Sequence, residues 1–318
     1  MKRVGMYPKR PRRPHVGPRS GVRWQRLALI GSFVMGLAGP AAAATPAPYS
    51  LPWQLRPAGA GNVIRLDSVW STYEGATGDD GHTFVSLLLA SGKVSASTAL
   101  LGRIGIVQND PPIRESASVP TNLVLGVAHA PHVSTPWRLA CYLMTALPTG
   151  GGGGNTPDPP DVVAIRSGVP ARSAMDNALF ATNDVVVFPG VDLAWVKGGW
   201  TFQGEATLLQ LWRVRGEDVQ PDASRTNFTT GLHAGWFPAR PLSLGAELRY
   251  QRWLSTPNSV EANAKARDTT TIAFGPRLHF KTGEHGWLRP GVSFVVPLDE
   301  PLTVVDQSTV QLDIPYAF

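Results

Sequence analysis

The stretch TIAFGPRLHFK, residues 271–281, alternates two kinds of side chain with a period of two. Ile272, Phe274, Pro276, Leu278 and Phe280 fall on one face, and small, polar or charged residues fall on the other. Successive side chains of a β-strand point to opposite faces, so this pattern predicts a strand whose two faces meet very different surroundings. PLSLGAELRYQ (241–251) and WLRPGVSFVV (287–296) repeat the pattern.

Outward from this stretch, the same alternation predicts twelve strands. They lie near 62–73, 82–92, 96–108, 121–130, 136–147, 185–196, 200–214, 226–237, 241–253, 269–281, 286–297 and 308–318. Strands of globular proteins average about 5–6 residues, whereas a tilted strand needs roughly 9–11 residues to cross a bilayer. Most of the predicted strands are long enough to cross.

The connections between these strands alternate in length. The loop EGATGDDG is followed by the tight turn GKVSAS, and long and short connections continue to alternate towards the C-terminus. Long loops at one end, short turns at the other and an even strand number are typical of outer-membrane barrels. We therefore predict an all-β fold, a transmembrane antiparallel up-and-down β-barrel of about twelve strands. Trp and other aromatic residues near the strand ends agree with the aromatic girdles of such barrels.

The first 44 residues have the composition of a secretory signal peptide. A basic stretch precedes the apolar run LALIGSFVMGLAG (27–39) and the small residues AAAA (41–44). We predict cleavage near Ala44, with an uncleaved N-terminal anchor as the alternative. Residues 45–60 then form a Pro-rich periplasmic lead, and 61–318 form the barrel, with a long extracellular loop over 148–184.

The charge distribution argues against nucleic-acid binding. The chain carries 29 basic and 23 acidic residues, a net charge of +6. Nine of the basic residues precede residue 45, where there is no acid, so the remainder holds 20 basic against 23 acidic residues. The excess positive charge belongs to the leader and predicts no nucleic-acid partner. The single cysteine, Cys141, excludes a disulfide framework.

Ionisable residues recur in the middle of the predicted strands, on the face opposite the apolar one. In a lipid-facing barrel this second face lines the lumen, where water can solvate charges that a dry core would not tolerate. The predicted lumen-lining residues are Arg65, Asp67, Arg103, Arg138, Asp192, Glu205, Glu247, Arg249, Arg277, His279, Arg289 and Asp313. They form either a ladder of ion pairs that fills the barrel or a polar track for a solute.

Strand number and one loop bear on whether the lumen is open. About eight strands give an interior that side chains fill, and 16–18 leave an aqueous pore, so twelve strands are intermediate. The loop over 148–184 opens with the Gly-rich run GGGGGNTPDPPD and continues with ARSAMDNALFATND, where Ser173 and Asp176 resemble a capping box and suggest a helix. It either folds inward to narrow the lumen or stays outside as a disordered or lid-like loop.

Motifs for catalysis and metal binding are weak. The glycine run lacks the Lys and Ser/Thr of a phosphate-binding loop, and there is no H-E-x-x-H or cysteine pair. We predict no enzymatic activity, no cofactor and no metal site. A membrane-embedded hydrolase is a rival that requires a Ser–His contact, which the sequence does not place on adjacent strands.

The last residues, VQLDIPYAF (310–318), are predicted to form the strand that closes the barrel. Val310, Leu312, Ile314, Tyr316 and Phe318 form one apolar face. The terminal Phe318, with Tyr316 two positions earlier, resembles the C-terminal signal that barrel-assembly machinery recognises. We expect deletion of Phe318 to impair assembly more than transport.

Several phrases of the chain resemble a known family. They are LPWQLRPAGAGNVIRLDS (51–68), GRIGIVQNDPP (102–112), ARSAMDNALFATND (171–184), DASRTNFTTGLHAG (222–235), GAELRYQRWLSTP (245–257), GPRLHFK (275–281) and WLRPGVSF (287–294). Together with the strand layout over 50–318, they are similar to outer-membrane transporter-like barrels of the family named after the meta-pathway of phenol degradation. The resemblance implies a porin-like barrel that passes aromatic or other small organic compounds, and it carries no substrate-binding residue.

The sequence thus predicts a channel or transporter of the bacterial outer membrane for passive passage of small, aromatic or hydrophobic solutes. The alternative is a structural or surface-interaction barrel whose lumen is filled by ion pairs. The expected partners are outer-membrane lipid and lipopolysaccharide, the barrel-assembly machinery and a small-molecule solute.

Overall fold

The computed structural model describes residues 49–75, 78–133 and 135–318. The predicted signal peptide and the first residues of the Pro-rich lead lie outside this part of the chain. Among the described residues, no helix is both long and apolar enough to span a membrane.

The described residues form one antiparallel sheet and a few short helices. The strands are β1 (Val63–Glu74), β2 (Asp80–Lys93), β3 (Thr98–Asp110), β4 (Ala117–Pro120), β5 (Leu123–His129), β6 (Trp137–Leu147), β7 (Asp184–Lys197), β8 (Trp200–Arg213), β9 (Ser224–Ala239), β10 (Leu242–Trp253), β11 (Asp268–Leu278), β12 (Phe280–Thr282), β13 (Gly286–Leu288), β14 (Gly291–Pro297) and β15 (Ser308–Ala317). The helices are α1 (Pro159–Ala171), α2 (Asn177–Phe180), α3 (Asn258–Ala262) and a 3-10 helix, Ala264–Arg267.

These segments make twelve barrel strands, because three of the strands are interrupted. β4 and β5 both pair with β3 and follow each other along it. β11 and β12 form a second interrupted strand, and β13 and β14 form a third. Each strand otherwise pairs with its neighbours in sequence.

The sheet closes on itself between its first and last strands. β1 pairs with β15 in antiparallel register, from Val63 opposite Ala317 to Thr72 opposite Ser308. Closure leaves no strand edge, which is what a sheet in hydrocarbon requires, since every backbone polar group there needs a partner. The prediction of a closed antiparallel barrel of twelve strands is confirmed.

The outer face of the barrel is apolar and the inner face is mixed. In the stretch 271–281, Phe274, Leu278 and Phe280 are exposed, whereas Arg277 and His279 are buried. Trp70, Trp137, Trp200, Trp212 and Trp236 are likewise exposed near strand ends. The alternation in the sequence therefore separates a lipid-facing side from an inward-facing side, with the apolar residues outside.

Connections of different length gather at opposite ends of the barrel. We call the end with the connections at 94–97, 198–199, 240–241 and 283–285 the short-turn end, and the opposite end the long-loop end. Two segments enter the interior from these ends. We call residues 49–60 the N-terminal segment and residues 148–183, between β6 and β7, the inward loop.

The inward loop folds into the barrel and carries α1 and α2. Ala164 and Ile165 of α1 and Leu179 and Phe180 of α2 are buried in the same apolar cluster as strand residues. The helix suggested over 171–184 is present only as the short α2, and Ser173 does not begin it, since Ser173 has a positive φ of 54°. The longer helix, α1, begins earlier in the loop, at Pro159. Asp176 does not cap a helix through its side chain and instead pairs with arginines.

Asn122 explains why β4 and β5 are separate. Its side-chain Nδ2 donates to the carbonyls of Ala178 (3.0 Å) and Ala181 (2.9 Å), and its Oδ1 accepts from Gly150 N at 3.0 Å. Its backbone N–H donates to Leu179 O at 2.8 Å instead of to a strand. The interruption of this strand thus holds the inward loop against the barrel wall.

Candidate functional site

The interior of the barrel has two unlike halves. Strands β2 to β8 supply most of an apolar half, whose buried side chains are Val85, Leu87, Val107, Val124, Tyr142, Met144, Val186, Phe188, Leu209 and Leu211. Strands β9 to β11, β14, β15 and β1 supply a polar half, whose buried side chains include Arg65, Asp67, Asn227, Thr229, His233, Glu247, Arg249, Gln251, Thr271, Arg277, Ser293, Gln311 and Asp313. Any solute inside the barrel therefore meets an apolar wall on one side and a charged wall on the other.

The N-terminal segment lies inside the barrel and is held by the polar half. Glu247 accepts hydrogen bonds from the backbone N–H groups of Trp53 (2.8 Å) and Gln54 (3.1 Å). Arg65 donates to the carbonyls of Pro52 and Trp53, and Gln311 also donates to Trp53 O. The Trp53 side chain is only 1% exposed. The segment predicted as a periplasmic lead thus lies deep inside the barrel.

Ion pairs fix the groups that hold this segment. Arg249 Nε lies 2.6 Å from Glu247 Oε1. Asp313 lies between Arg65 and Arg277, with Arg65 Nε at 2.7 Å from Oδ1. Glu247 holds the backbone of the N-terminal segment directly, whereas Asp313 holds it through Arg65 and Arg277, which donate to its carbonyl groups. Hydrogen bonds to charged groups are stronger than those between neutral groups, so these contacts anchor the segment firmly.

A second cluster of charges holds the inward loop. Asp176 pairs with Arg103 of β3 at 2.8 Å and with Arg172 at 2.8 Å. Arg172 also pairs with Asp67 of β1 at 2.7 Å. Burial by itself raises the pKa of the Asp176 carboxyl, but the guanidinium groups of Arg103 and Arg172 outweigh it and hold the pKa well below its ordinary value. The loop is therefore tied to β3 through Asp176 and to β1 through Arg172, and the Arg172–Asp176 pair joins the two ties.

The N-terminal segment and the inward loop meet in the middle of the barrel. Gln54 Nε2 donates to Arg172 O at 2.7 Å and to Asp176 Oδ2 at 3.1 Å. One glutamine thus links the segment that comes from the short-turn end to the loop that comes from the long-loop end. Movement of either one disturbs the contacts of the other.

Arg56 crosses to the other wall of the interior. Its Nη1 lies 2.6 Å from Glu205 Oε1 and donates to Tyr142 Oη at 2.9 Å, with Cζ 4.5 Å from the centre of the Tyr142 ring. The Tyr142 ring lies across Gly190 of the neighbouring strand, where any Cβ would collide with it.

Asp192, which faces Glu205 across β7 and β8, has no hydrogen-bond partner for Oδ2 among the described residues.

Three spaces follow the apolar half from one end of the barrel to the other. A cavity of about 220 Å³ lies at the short-turn end, between the N-terminal segment and the wall, with Leu89, Met144 and Asp192 among its lining residues. A void of about 10 Å³ follows beside Arg56, Arg103 and Phe188. A pocket of about 150 Å³ lies at the long-loop end. The void holds about one water molecule, so a larger molecule does not fit between the cavity and the pocket in this conformation.

The predicted lumen-lining residues divide between these features. All are buried except Arg138, which is half-buried. Arg65, Arg138, Asp192 and Arg289 line the cavity of 220 Å³. The members engaged by the N-terminal segment or by each other are Glu205, Glu247, Arg249, Arg277 and Asp313, and the members engaged by the inward loop are Asp67 and Arg103. His279 is apart from both and contacts Ser243 Oγ at 2.8 Å.

Sequence reasoning missed the residues that join the two inserted segments. Gln54 and Arg56 lie in a Pro-rich stretch with no regular pattern, and Arg172 and Asp176 lie in a loop. A signal does exist, because Trp53 and Leu55 are large apolar residues in a segment otherwise typical of a solvated linker. Asp176 and Asp184, two acids of the loop predicted to be extracellular over 148–184, are buried.

Two Ser–His contacts occur inside the barrel. One is the contact between Ser243 and His279 described above. In the other, Ser50 Oγ lies 3.3 Å from His233 Nε2. His233 Nδ1 is 4.0 Å from Glu247 Oε2, which is too far for a hydrogen bond. The Glu247 carboxylate instead accepts hydrogen bonds from Arg249 and from two backbone N–H groups. The histidine is thus not oriented as a general base in this conformation. Among the described residues, no group of three or more metal-binding side chains comes together.

Comparison with known proteins bears on the fold. No protein-family model matches the sequence, and no curated protein matches it. Among solved structures, the chain is similar to an outer-membrane channel from Pseudomonas putida, with 12% identity and a TM-score of 0.52 over 87% of this chain and 100% of that one. It is also similar to the NanC porin, with 10% identity and a TM-score of 0.47 over 80% of this chain and 98% of that one. A third similar structure is the beta domain of a Bordetella autotransporter, with 11% identity and a TM-score of 0.46 over 81% of this chain and 99% of that one. The closed sheet and the first of these similarities give the chain the fold of an outer-membrane β-barrel.

Proposed function

We propose that this chain forms a passive channel of the bacterial outer membrane for small apolar or amphiphilic solutes. The observation that carries the proposal is the cavity of about 220 Å³ along the apolar half of the interior. Arg138 and Arg289 line the same cavity and have no ion-pair partner in the part of the chain that the structure describes. A solute with an apolar body and a polar or anionic group fits both walls.

The proposed route runs from the pocket at the long-loop end, past the void beside Arg56, to the cavity at the short-turn end. The long loops face the outside and the short turns face the periplasm, as in bacterial barrels of this kind. Since the void holds about one water molecule, passage requires the N-terminal segment, the inward loop or both to shift. The contacts of Gln54 with Arg172 and Asp176 couple the two movements.

Other parts of the proposal follow from the sequence. Residues 1–44 direct export, Tyr316 and Phe318 form the signal for barrel assembly, and lipid with lipopolysaccharide surrounds the apolar belt. Membership of the family named after the meta-pathway of phenol degradation is a proposal that the quoted phrases support. The structural neighbour from Pseudomonas putida is a channel, which agrees with this function.

The test compares the wild-type protein with Glu247→Gln in planar bilayers and liposomes. The substitution removes the charge that accepts from Trp53 N and Gln54 N, so we expect higher conductance and faster uptake of small aromatic solutes. Glu261→Gln, an exposed carboxylate on α3, is the matched control and should behave as wild type. A protein that folds but shows neither conductance nor uptake, with or without the substitution, contradicts the channel function.

A structural or surface-interaction barrel is the second candidate, and the filled interior favours it. The ion pairs Arg65–Asp313–Arg277 and Arg249–Glu247 are buried in the polar half, as expected for a barrel whose interior stays filled. In that case Glu247→Gln lowers heat resistance, because breaking a buried ion pair costs about 3–5 kcal/mol, and conductance stays absent in both proteins.

A further inference from the structure

The pocket at the long-loop end has features of a binding site that the route through the barrel does not require. It has a volume of about 150 Å³ and lies between α1, α2 and the ends of strands β7 to β10. Its apolar lining includes Phe180, Leu211 and Trp253. An apolar cavity of about 150 Å³ accommodates a benzene molecule, so the space suits a single six-membered ring.

Polar atoms without partners belong to the residues of the same pocket. Asn177 Oδ1, Asp184 Oδ1 and Arg225 Nε are buried and have no hydrogen-bond partner among the described residues. Asn177 is 5% exposed and Asp184 is 1% exposed. A buried polar atom without a partner is costly, and these three belong to residues that line one cavity. A rotation of their side chains towards the cavity would let a ligand supply the missing bonds. Asn177 and Asp184 offer acceptors, so the complementary group is a donor such as a hydroxyl.

The charges of the pocket favour an anion at its rim. Asp184 already pairs with Arg225, whose Cζ also lies 5.6 Å from the centre of the Trp253 ring. Arg166 of α1 lines the pocket, is exposed and has no ion-pair partner within the described residues. The Arg166 guanidinium is therefore an uncompensated positive charge at the exposed side of the pocket. Because a guanidinium can bind both oxygens of a carboxylate, it complements a carboxylate on the ligand.

We propose that this pocket binds a monocyclic aromatic carboxylate with a ring hydroxyl on the side opposite the carboxylate. The ring lies against Phe180, Leu211 and Trp253, the carboxylate meets Arg166 at the rim, and the hydroxyl donates to Asn177 or Asp184 in the buried part. The inference rests on the proposed channel function, in which this pocket is the first site that a solute from outside would occupy. Binding to the pocket can nevertheless be measured without transport.

The test measures the affinity of the purified full-length protein in detergent for three probes by calorimetry: para-hydroxybenzoate, benzoate and phenol. We expect para-hydroxybenzoate to bind most tightly. Arg166→Gln should weaken both carboxylates about tenfold or more, since a charge-assisted bond is lost, and should leave phenol unchanged. Val162→Trp, which fills the pocket from the half-exposed face of α1, should abolish binding of all three probes.

Arg114→Gln is the matched control, because Arg114 is an exposed arginine in another long loop and does not line the pocket. It should change none of the affinities. Absence of saturable para-hydroxybenzoate binding in the millimolar range overturns the proposal, as does an equal loss for phenol and the carboxylates in Arg166→Gln. Uptake of these probes into liposomes is measured separately: uptake without binding overturns this site, whereas binding without uptake supports the site and contradicts the channel function.

Discussion

At the scale of single residues, a few charged groups decide what the interior of the barrel can do. Glu247 holds the backbone of the N-terminal segment, and Asp176 holds the inward loop. Both are buried and both are paired with arginine. Removing one member of a buried pair leaves the other charge without compensation, so these positions combine a high cost of mutation with control over the two segments that fill the barrel.

Asp176→Asn is expected to release the inward loop. Arg103 and Arg172 would keep their charge and lose their shared carboxylate, which should lower the free energy of unfolding by about 3–5 kcal/mol. Guanidinium unfolding in lipid vesicles measures this change. Asp158→Asn, in the exposed part of the same loop, is the control and should have no effect. Equal stability of the two variants would show that the cluster does not hold the loop.

The pH dependence of this anchor follows from the depressed pKa of Asp176. A carboxyl whose pKa is lower in the folded state stabilises that state at every pH above its unfolded pKa of about 4, and the stabilisation is lost as the pH falls through the lower folded value. We therefore expect the inward loop to stay docked from pH 7 to pH 5. Limited proteolysis of the loop across this range should give constant rates, and faster cleavage at pH 5 would contradict the assignment.

At the scale of elements, the strands are regular and the inserted segments are not. The twelve strands follow from alternation and loop length, and their observed bounds lie close to the predicted ones. The N-terminal segment and the inward loop have no such periodicity, and their positions depend on side chains that are far away in sequence, such as Glu247 and Asn122. The local sequence pattern could not reveal their positions, because the contacts that hold them to the wall join residues far apart in the sequence.

A cross-link tests whether the N-terminal segment must move for passage. Ser50 Oγ lies 3.4 Å from Ser243 Oγ, so cysteines at these two positions would bring their sulfur atoms close together. In a Cys141→Ser background, we expect S50C with S243C to lose solute uptake on oxidation and to regain it on reduction. S50C alone is the control. Unchanged uptake in the oxidised double variant would place the moving part elsewhere, in the inward loop.

At the scale of the whole molecule, the barrel is a closed wall with two inserted segments that meet near its centre. The wall is complete without either segment, because β1 pairs with β15 along ten residue pairs. The segments close the space in between, where a void of about 10 Å³ separates the two larger cavities. The strands alone therefore close the wall, and the two segments fill the space inside it.

Deletion of residues 49–60 should accordingly leave a folded barrel with a larger opening. Water would enter and solvate Glu247, Asp313 and their arginines, so their charges stay compensated without the segment. We expect a several-fold rise in single-channel conductance, with retention of the heat resistance seen by gel mobility. A deletion variant that folds and keeps the wild-type conductance would show that the inward loop alone closes the barrel.

The sequence by itself determined the wall of this protein. The local properties that predict it are the alternation of side chains, the strand lengths, the separation of long loops from short turns, and the aromatic residues near the strand ends. They are sufficient for a barrel in lipid, because hydrocarbon forces every strand to pair and the sheet to close. Only the tertiary structure decided what fills the wall. The two inward segments are placed by Glu247, Asp176 and Asn122 through contacts across the interior, between residues more than 50 positions apart. Such contacts leave no periodic trace in the sequence, since they depend on the closed shape that the wall creates.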